Sequence, residues 1–199
     1  MYDWRNMTPS QRALVLELRR ARGFPKHSPP HFNHEGSHQY LISGACYEHK
    51  GVIGKSPSRM SECEADVLEV CHQFSSEVYA WCLLPNHYHV LLLTERIKEL
   101  LRELGQFHGR SSFKWNGEDH QRGRQIWFNC FERKMKSERH FWVSLNYVNN
   151  NAVHHGYVDQ WQDWPWSSAP EFLQRVGREE AERIWREYPV LDYGKKWDV

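Results

Sequence analysis

The stretch Trp81 to Thr94, W-C-L-L-P-N-H-Y-H-V-L-L-L-T, constrains this chain more than any other. Two apolar runs flank a Pro-Asn turn signal, so the segment predicts a tight β-hairpin with two imidazoles beside its turn. Alternate side chains on a strand share a face. His87 and His89 are therefore expected to project together, at a spacing suited to gripping one metal ion, with Tyr88 on the opposite side. The plainer account is two ordinary hairpin histidines. Against it, His89 leads straight into Val90-Leu91-Leu92-Leu93, a run with the look of a strand buried on both faces. Polar rings at the mouth of such a strand are costly unless something pairs with them.

At 199 residues, with 40% hydrophobic content and ten Trp, the chain has material for one main domain with appendages. A formal charge of +1 means that any case for nucleic acid must be local, although thirteen His add positive charge as pH falls. Cys46, Cys63, Cys71, Cys82 and Cys130 include no C-x-x-C pair. Their odd number and the lack of a secretory leader argue against a disulfide framework or zinc ribbon, so reduced thiols used for packing are expected. No apolar run approaches a membrane span. The expectation is a soluble, cytoplasmic protein without a membrane partner.

Residues 1–37 read as a basic helical extension and linker: Thr8 or Ser10 as cap, Leu14, Leu18 and Ala21 on one face, then Pro, His, Gly and Asn from Gly23. The main domain is expected over 38–170 and a helical tail over 171–199. Within the domain, Gln39–Tyr47 reads as a strand and Ser61–Ser75 as a helix with a capping box at Ser61-Glu62-Cys63-Glu64. Val78–Leu84 and His87–Leu93 follow as the hairpin, Glu95 to about Phe113 as a second helix, and Ile126–Phe131 as a fourth strand. The β-α-β-β-α-β order predicts an α+β fold, a ferredoxin-like antiparallel sheet with both helices on one face.

Beyond the fourth strand, Ser137 is placed to cap a helix whose core stripe is Phe141, Leu145, Val148 and Ala152. His140, Ser144, Tyr147 and Asn151 form a second stripe, so Tyr147 and Asn151 project one turn apart. Tyr147 reads either as an amphipathic residue at the edge of the core or as a functional group. Asn149, Asn150 and Asn151 are poor helix formers with no packing rationale beyond fraying or capping. Further on, Trp164 and Trp166 read as buried and Ser167/Ser168 as the cap of a short helix.

Four motifs in this order carry a resemblance: P-N-H-Y-H-V-L-L (Pro85 to Leu92), I-W-F-N-C-F-E-R (Ile126 to Arg133), Y-V-N-N-N (Tyr147 to Asn151) and W-P-W-S-S (Trp164 to Ser168). Over roughly residues 38 to 170 the chain resembles the single-tyrosine HUH transposases, and among them the REP-associated tyrosine transposases. The resemblance implies that His87 and His89 are the metal-binding pair, that Tyr147, on an additional C-terminal helix, is the catalytic nucleophile, and that Asn151 is the third metal ligand. It implies a metal-dependent endonuclease and strand transferase. The target would be a short palindromic hairpin in single-stranded DNA, and the intermediate a 5′-phosphotyrosine. Two features depart from the pattern: Ala152 stands where relatives have Pro, so the helix is expected to run on, and Asn149 stands where a His is common.

The chemistry suits those parts. A phenol with a pKa near 10 is a weak nucleophile at neutral pH and has to be activated and aimed at phosphorus. Two imidazoles and an amide oxygen suit Mn²⁺ or Mg²⁺, with open positions for the scissile phosphate. For the DNA path, Arg110, Lys114, Arg122, Arg124, Arg133, Lys134 and Lys136 interleave with aromatic residues, a mixture that neutralises backbone charge and stacks bases. The alternative is a solvated loop around core aromatics. A histidine-triad hydrolase would need a third alternating His where Leu91 stands, and a two-histidine phosphoesterase a second His motif that the chain lacks. The remaining rival is a hairpin DNA- or RNA-binding module that has lost cleavage. A monomer and a dimer are equally compatible with the pattern.

Overall fold

The computed structural model describes residues 7–21 and 36–194, and the chain divides into two units, Met1–Glu35 and Gly36–Val199. In the first, α1 (Pro9–Ala21) starts where Thr8 and Gln11 cap one another. The Thr8 N–H donates to Gln11 Oε1 at 2.8 Å and the Gln11 N–H to Thr8 Oγ1 at 3.3 Å. Leu14 and Leu18 are exposed. Of the basic residues of this extension, Arg5, Arg22 and Lys26 lie outside the described residues, as do the side chains of Arg19 and Arg20 and most of the linker.

In the second unit the order is β1 (His38–Ala45), α2 (Pro57–Phe74), β2 (Glu77–Leu84), β3 (His87–Thr94), α3 (Ile97–Glu118), β4 (Phe131–Lys134), α4 (Glu138–Asn149), α5 (Asn151–His154), α6 (Ala169–Val176) and α7 (Arg178–Glu187). The strands form one antiparallel sheet in the order β2-β3-β1-β4. This is the expected ferredoxin-like arrangement. Because side chains alternate along β3, adjacent residues show which helices cover which face: Tyr88 meets His108 of α3, and His89 meets Tyr147 of α4. The extra helix therefore covers the face opposite α3. Leu41, Ile42, Leu91, Leu92, Leu100 and Leu104 form a solvent-free centre.

Several boundaries differ from expectation. Helix α2 starts at Pro57 because Ser56 accepts the Arg59 N–H at 3.1 Å and proline at the first position is already set for a helix; Ser61–Glu64 lies inside it. Helix α3 runs on from Phe113 to Glu118, anchored by buried Trp115 and by Asn116, whose amide donates to Arg124 O at 2.7 Å. The fourth strand is Phe131–Lys134, so of the expected Ile126–Phe131 only Phe131 lies in it, opposite Ser43, and the residues before it make a single bridge, Trp127 with Cys46. The apolar run there marks burial and not pairing: the Trp127 indole donates to Ser111 Oγ at 3.0 Å and stacks on His108 at 4.1 Å. Trp166 is half-buried, its indole donating to Ser61 Oγ. Ser168 is the N-cap residue of α6, but its hydroxyl accepts from the Trp81 N–H and donates to Asn149, and it is Ser167 Oγ that accepts the Ala169 N–H at 3.4 Å.

Helix α4 begins as expected, with Ser137 Oγ accepting the His140 N–H at 3.1 Å, and Phe141, Leu145, Val148 and Ala152 are all buried. With no proline at 152 the helical path continues into α5, broken at one residue, Asn150 (φ −92°, ψ 2°). The tail helices α6 and α7 meet at Gly177, whose φ of 81° favours glycine. Asn146 ties α7 to α4 by donating to Ile184 O and Tyr188 O. All five cysteines are free thiols, and burial pushes Cys46 up to about 12. Among the described residues no helix is long and apolar enough to cross a membrane.

Candidate active site

The hairpin turn is clamped by two backbone hydrogen bonds. The Gly54 N–H donates to Pro85 O at 2.9 Å and the Cys46 N–H to Asn86 O at 2.7 Å. A Cβ at Gly54 would lie 2.4 Å from Pro85 Cβ, so only glycine lets the two backbones approach. This fixes Asn86 and, directly after it, His87.

His87 and His89 share a face as expected, their ring centroids 5.1 Å apart, and both are at least 98% buried. The Asn86 amide nitrogen donates to His49 O at 3.1 Å, which leaves its Oδ1 to face His87 Nδ1 at 2.8 Å. An amide oxygen only accepts, so Nδ1 carries the proton and Nε2 presents a lone pair. That lone pair lies 3.1 Å from Asn151 Oδ1, a second acceptor, while Asn151 Nδ2 is a buried donor with no partner among the described residues. Two acceptors turned toward each other in a buried site suit a cation between them. On His89, Ser43 Oγ is 2.7 Å from Nδ1 and the Tyr147 hydroxyl is 3.2 Å from Nε2.

Four of the expected groups, His87, His89, Tyr147 and Asn151, are thus brought together by one hairpin and one helical end. Sequence reasoning missed the supports Ser43 and Asn86, which are distant from the helix in sequence, and His155. His154 is exposed, and it is the neighbouring His155 whose ring comes within 4.9 Å of His87. Among the described residues no three His, Cys, Asp or Glu side chains converge closely enough to hold a metal alone. The donor set that could hold a divalent ion is two imidazole nitrogens with the Asn151 oxygen.

Tyr147 is only 2% exposed. The tail reaches over it: the Tyr193 ring lies 5.6 Å from the Tyr147 ring, and a Cβ on Gly194 would fall 2.3 Å from Tyr147 Cε2. Tyr193 is held through its hydroxyl by Ser144 Oγ and by His140 Nε2, the latter at 3.0 Å. Burial, then the nearby Arg133 and Lys136, hold the His140 imidazole below its ordinary pKa, which favours the neutral ring.

The candidate DNA-contacting residues separate into three groups. Arg110, Lys114, Arg122 and Lys136 are exposed; Lys114 pairs with Glu62 at 2.6 Å, and Arg122 lies over the exposed Phe113 ring at 4.4 Å. Arg133 and Lys134 are half-buried on β4, with Arg133 over Phe131. Arg124 is engaged inside the fold, 2.8 Å from Asp119, a buried carboxylate also held by Arg59 and Lys55.

A Haemophilus influenzae protein named "Putative REP-associated tyrosine transposase" is 28% identical to this chain over 127 residues, 55% of this chain and 68% of that protein. A solved structure, titled as the REP-associated tyrosine transposase bound to a REP hairpin, aligns with a TM-score of 0.54 over 75% of this chain and 86% of its own. At 16% identity that likeness speaks to the fold alone. No family model matches the chain. The resemblance read from the four motifs is borne out, and the α+β fold is that of these transposases.

Proposed function

We propose that this relative of the REP-associated tyrosine transposases is a metal-dependent nicking and strand-transfer enzyme acting on hairpin-bearing single-stranded DNA. The observation that carries the reading is the convergence of His87 Nε2, His89 Nε2, Asn151 Oδ1 and the Tyr147 hydroxyl in one buried site. Held by the first three, a divalent ion would supply Lewis-acid polarisation of the scissile phosphate. Asn86 and Ser43 orient the imidazoles, and α4 aims the phenol. In the reaction the Tyr147 oxygen bonds to phosphorus and gives up its proton to solvent. The bond from phosphorus to the 3′-oxygen breaks, and that oxygen leaves as a hydroxyl after taking up a proton. The DNA remains joined to Tyr147 through its 5′-phosphate, and a 3′-hydroxyl reverses the step without an energy source.

One observation favours a second reading, a hairpin-binding module without cleavage: Tyr147 is covered by Tyr193 and Gly194. Incubation with hairpin-bearing single-stranded oligonucleotides and Mn²⁺ separates the two. The enzyme reading expects a covalent protein–DNA adduct with an extendable 3′-hydroxyl, lost in Tyr147→Phe, which removes one hydroxyl and almost no volume. An adduct that persists in Tyr147→Phe displaces Tyr147 as nucleophile. Tight hairpin binding with no adduct on any sequence offered favours the module.

A further inference from the structure

Strand β4 lies at one edge of the sheet, and natural edge strands are commonly blunted by charge. Glu132, Arg133 and Lys134 fit that pattern, but Phe131 does not: its ring is 41% exposed. A single exposed phenylalanine is ordinary on a protein surface, so its position has to decide. Strand pairing fixes that position. Phe131 is opposite Ser43 of β1, and Ser43 is opposite His89 of β3. Cross-strand partners point to the same face. Phe131, Ser43 and His89 therefore stand in one row, on the side of the sheet where Tyr147 meets His89. Two strand spacings, about 10 Å, separate the first from the last.

The two directions along this row differ. Toward β2 it continues to Cys82, which is buried, and helix α4 packs on β2 and β3. Toward β4 it opens, with Ser43 half-buried and Phe131 exposed. Arg133, two residues on and so on the same face, lies over the Phe131 ring at 5.7 Å. Arg133 and Lys136 are also the cations beside His140, so this margin of the site is positively charged. Phe113, 73% exposed with Arg122 over its ring, belongs instead to α3, which covers the other face.

A single strand is held by aromatic rings that stack its bases and by cations that neutralise its backbone. We propose that Phe131 is a base-stacking residue for single-stranded DNA entering the site over β1 and β4. It stacks the base of the nucleotide next to the scissile phosphate, and Arg133 meets the backbone of that nucleotide. The stack orients the phosphate toward Tyr147 and takes no part in bond making. This placement rests on the nicking reading, whereas the stack itself requires only that the margin binds a single strand.

The test uses the full chain with a chelator, which stops metal-dependent nicking, and a DNA hairpin with single-stranded flanks in which 2-aminopurine occupies each flank position in turn. Stacking quenches the fluorescence of this base, and stacking on aromatic side chains tolerates any sequence. One flank position is expected to be quenched on binding. Phe131→Ala should abolish that quenching and weaken binding about tenfold, Phe131→Tyr should restore both, and Phe113→Ala should leave the quenching intact. An abasic nucleotide at the same position should weaken wild type about tenfold and Phe131→Ala no further. With Mn²⁺ in place of the chelator, the nick should fall next to the quenched position. No binding of any probe, quenching that survives Phe131→Ala, quenching lost in Phe113→Ala, or a nick remote from the quenched position overturns the proposal. A protein that nicks without Phe131-dependent quenching loses the stack alone. One that never nicks but shows this quenching keeps the stack and loses the proposed catalysis.

Discussion

Asn86 offers a test of the metal reading away from the ligands themselves. Its Oδ1, 2.8 Å from His87 Nδ1, holds the imidazole proton on the outer nitrogen and leaves the Nε2 lone pair facing inward. In Asn86→Ala that acceptor is gone. The proton is then free to settle on Nε2, where it bonds to Asn151 Oδ1, 3.1 Å away, and the ring is satisfied without an ion. Losing such a support typically lowers metal affinity about 10- to 100-fold, roughly 1.4 to 2.8 kcal/mol. Asn86→Asp keeps the acceptor and should bind metal within a few-fold of wild type. Both variants lose the bond to His49 O, worth about 1 kcal/mol of stability. Calorimetric Mn²⁺ titration of the three proteins, with thermal unfolding as a check on the fold, decides the matter. If Asn86→Ala titrates like wild type, the tautomer argument fails.

Three further outcomes follow from the geometry. Gly194→Ala places a methyl 2.3 Å from the Tyr147 ring at a backbone φ of +82°, so the segment should be displaced and adduct formation accelerated; an unchanged adduct rate would show that Tyr193–Gly194 does not limit access. Gly44→Ala puts a Cβ 2.4 Å from the Tyr88 ring, an overpacking expected to cost about 1 to 3 kcal/mol, and a wild-type urea midpoint would contradict it. Asp119 has a pKa held well below the ordinary carboxylate value, first by the Arg59 hydrogen bond and then by Lys55 and Arg124. A depressed pKa stabilises the fold above the unfolded-state value of about 3.9 and loses that contribution as pH falls below it. Asp119→Asn should therefore flatten the acid limb of the stability profile below about pH 4, and an acid limb as steep as wild type would argue against the network.

The hairpin, the shared face of the two histidines and the apolar stripe of α4 were legible in the sequence because each is local and periodic. Turn residues, alternation and a 3.6-residue period act within a few residues of each other. The fourth strand starts later than the apolar pattern suggests because Ile126 is buried and Trp127 packs against His108 and Ser111, and burial alone does not reveal pairing. The capping-box spacing points to Ser61 as the helix start, whereas Ser56 with Pro57 at the first helical position sets it one turn earlier. Asn86 and Ser43 as supports, His155 beside His87, and the tail over Tyr147 depend on tertiary closure, for which periodicity carries no signal. The only hint was the Asn run, of which Asn151 meets His87.

Tyr88, on the reverse of the strand from the histidines, fixes the register of the site. Its ring fills the space that Gly44 leaves empty, and its hydroxyl lies 3.0 Å from His108 Nε2, in an imidazole that burial holds at about 4 and therefore neutral. A slip of β3 by one residue would turn Tyr88 toward Tyr147 and push both candidate metal-binding imidazoles against α3. Pairing energy between apolar strands discriminates poorly against such a slip in the Val90–Leu93 run, where every residue is apolar. The tyrosine–glycine–histidine fit makes the alternative alignment sterically and electrostatically expensive, so the inward alignment of His87 and His89 is set from the opposite face of their strand.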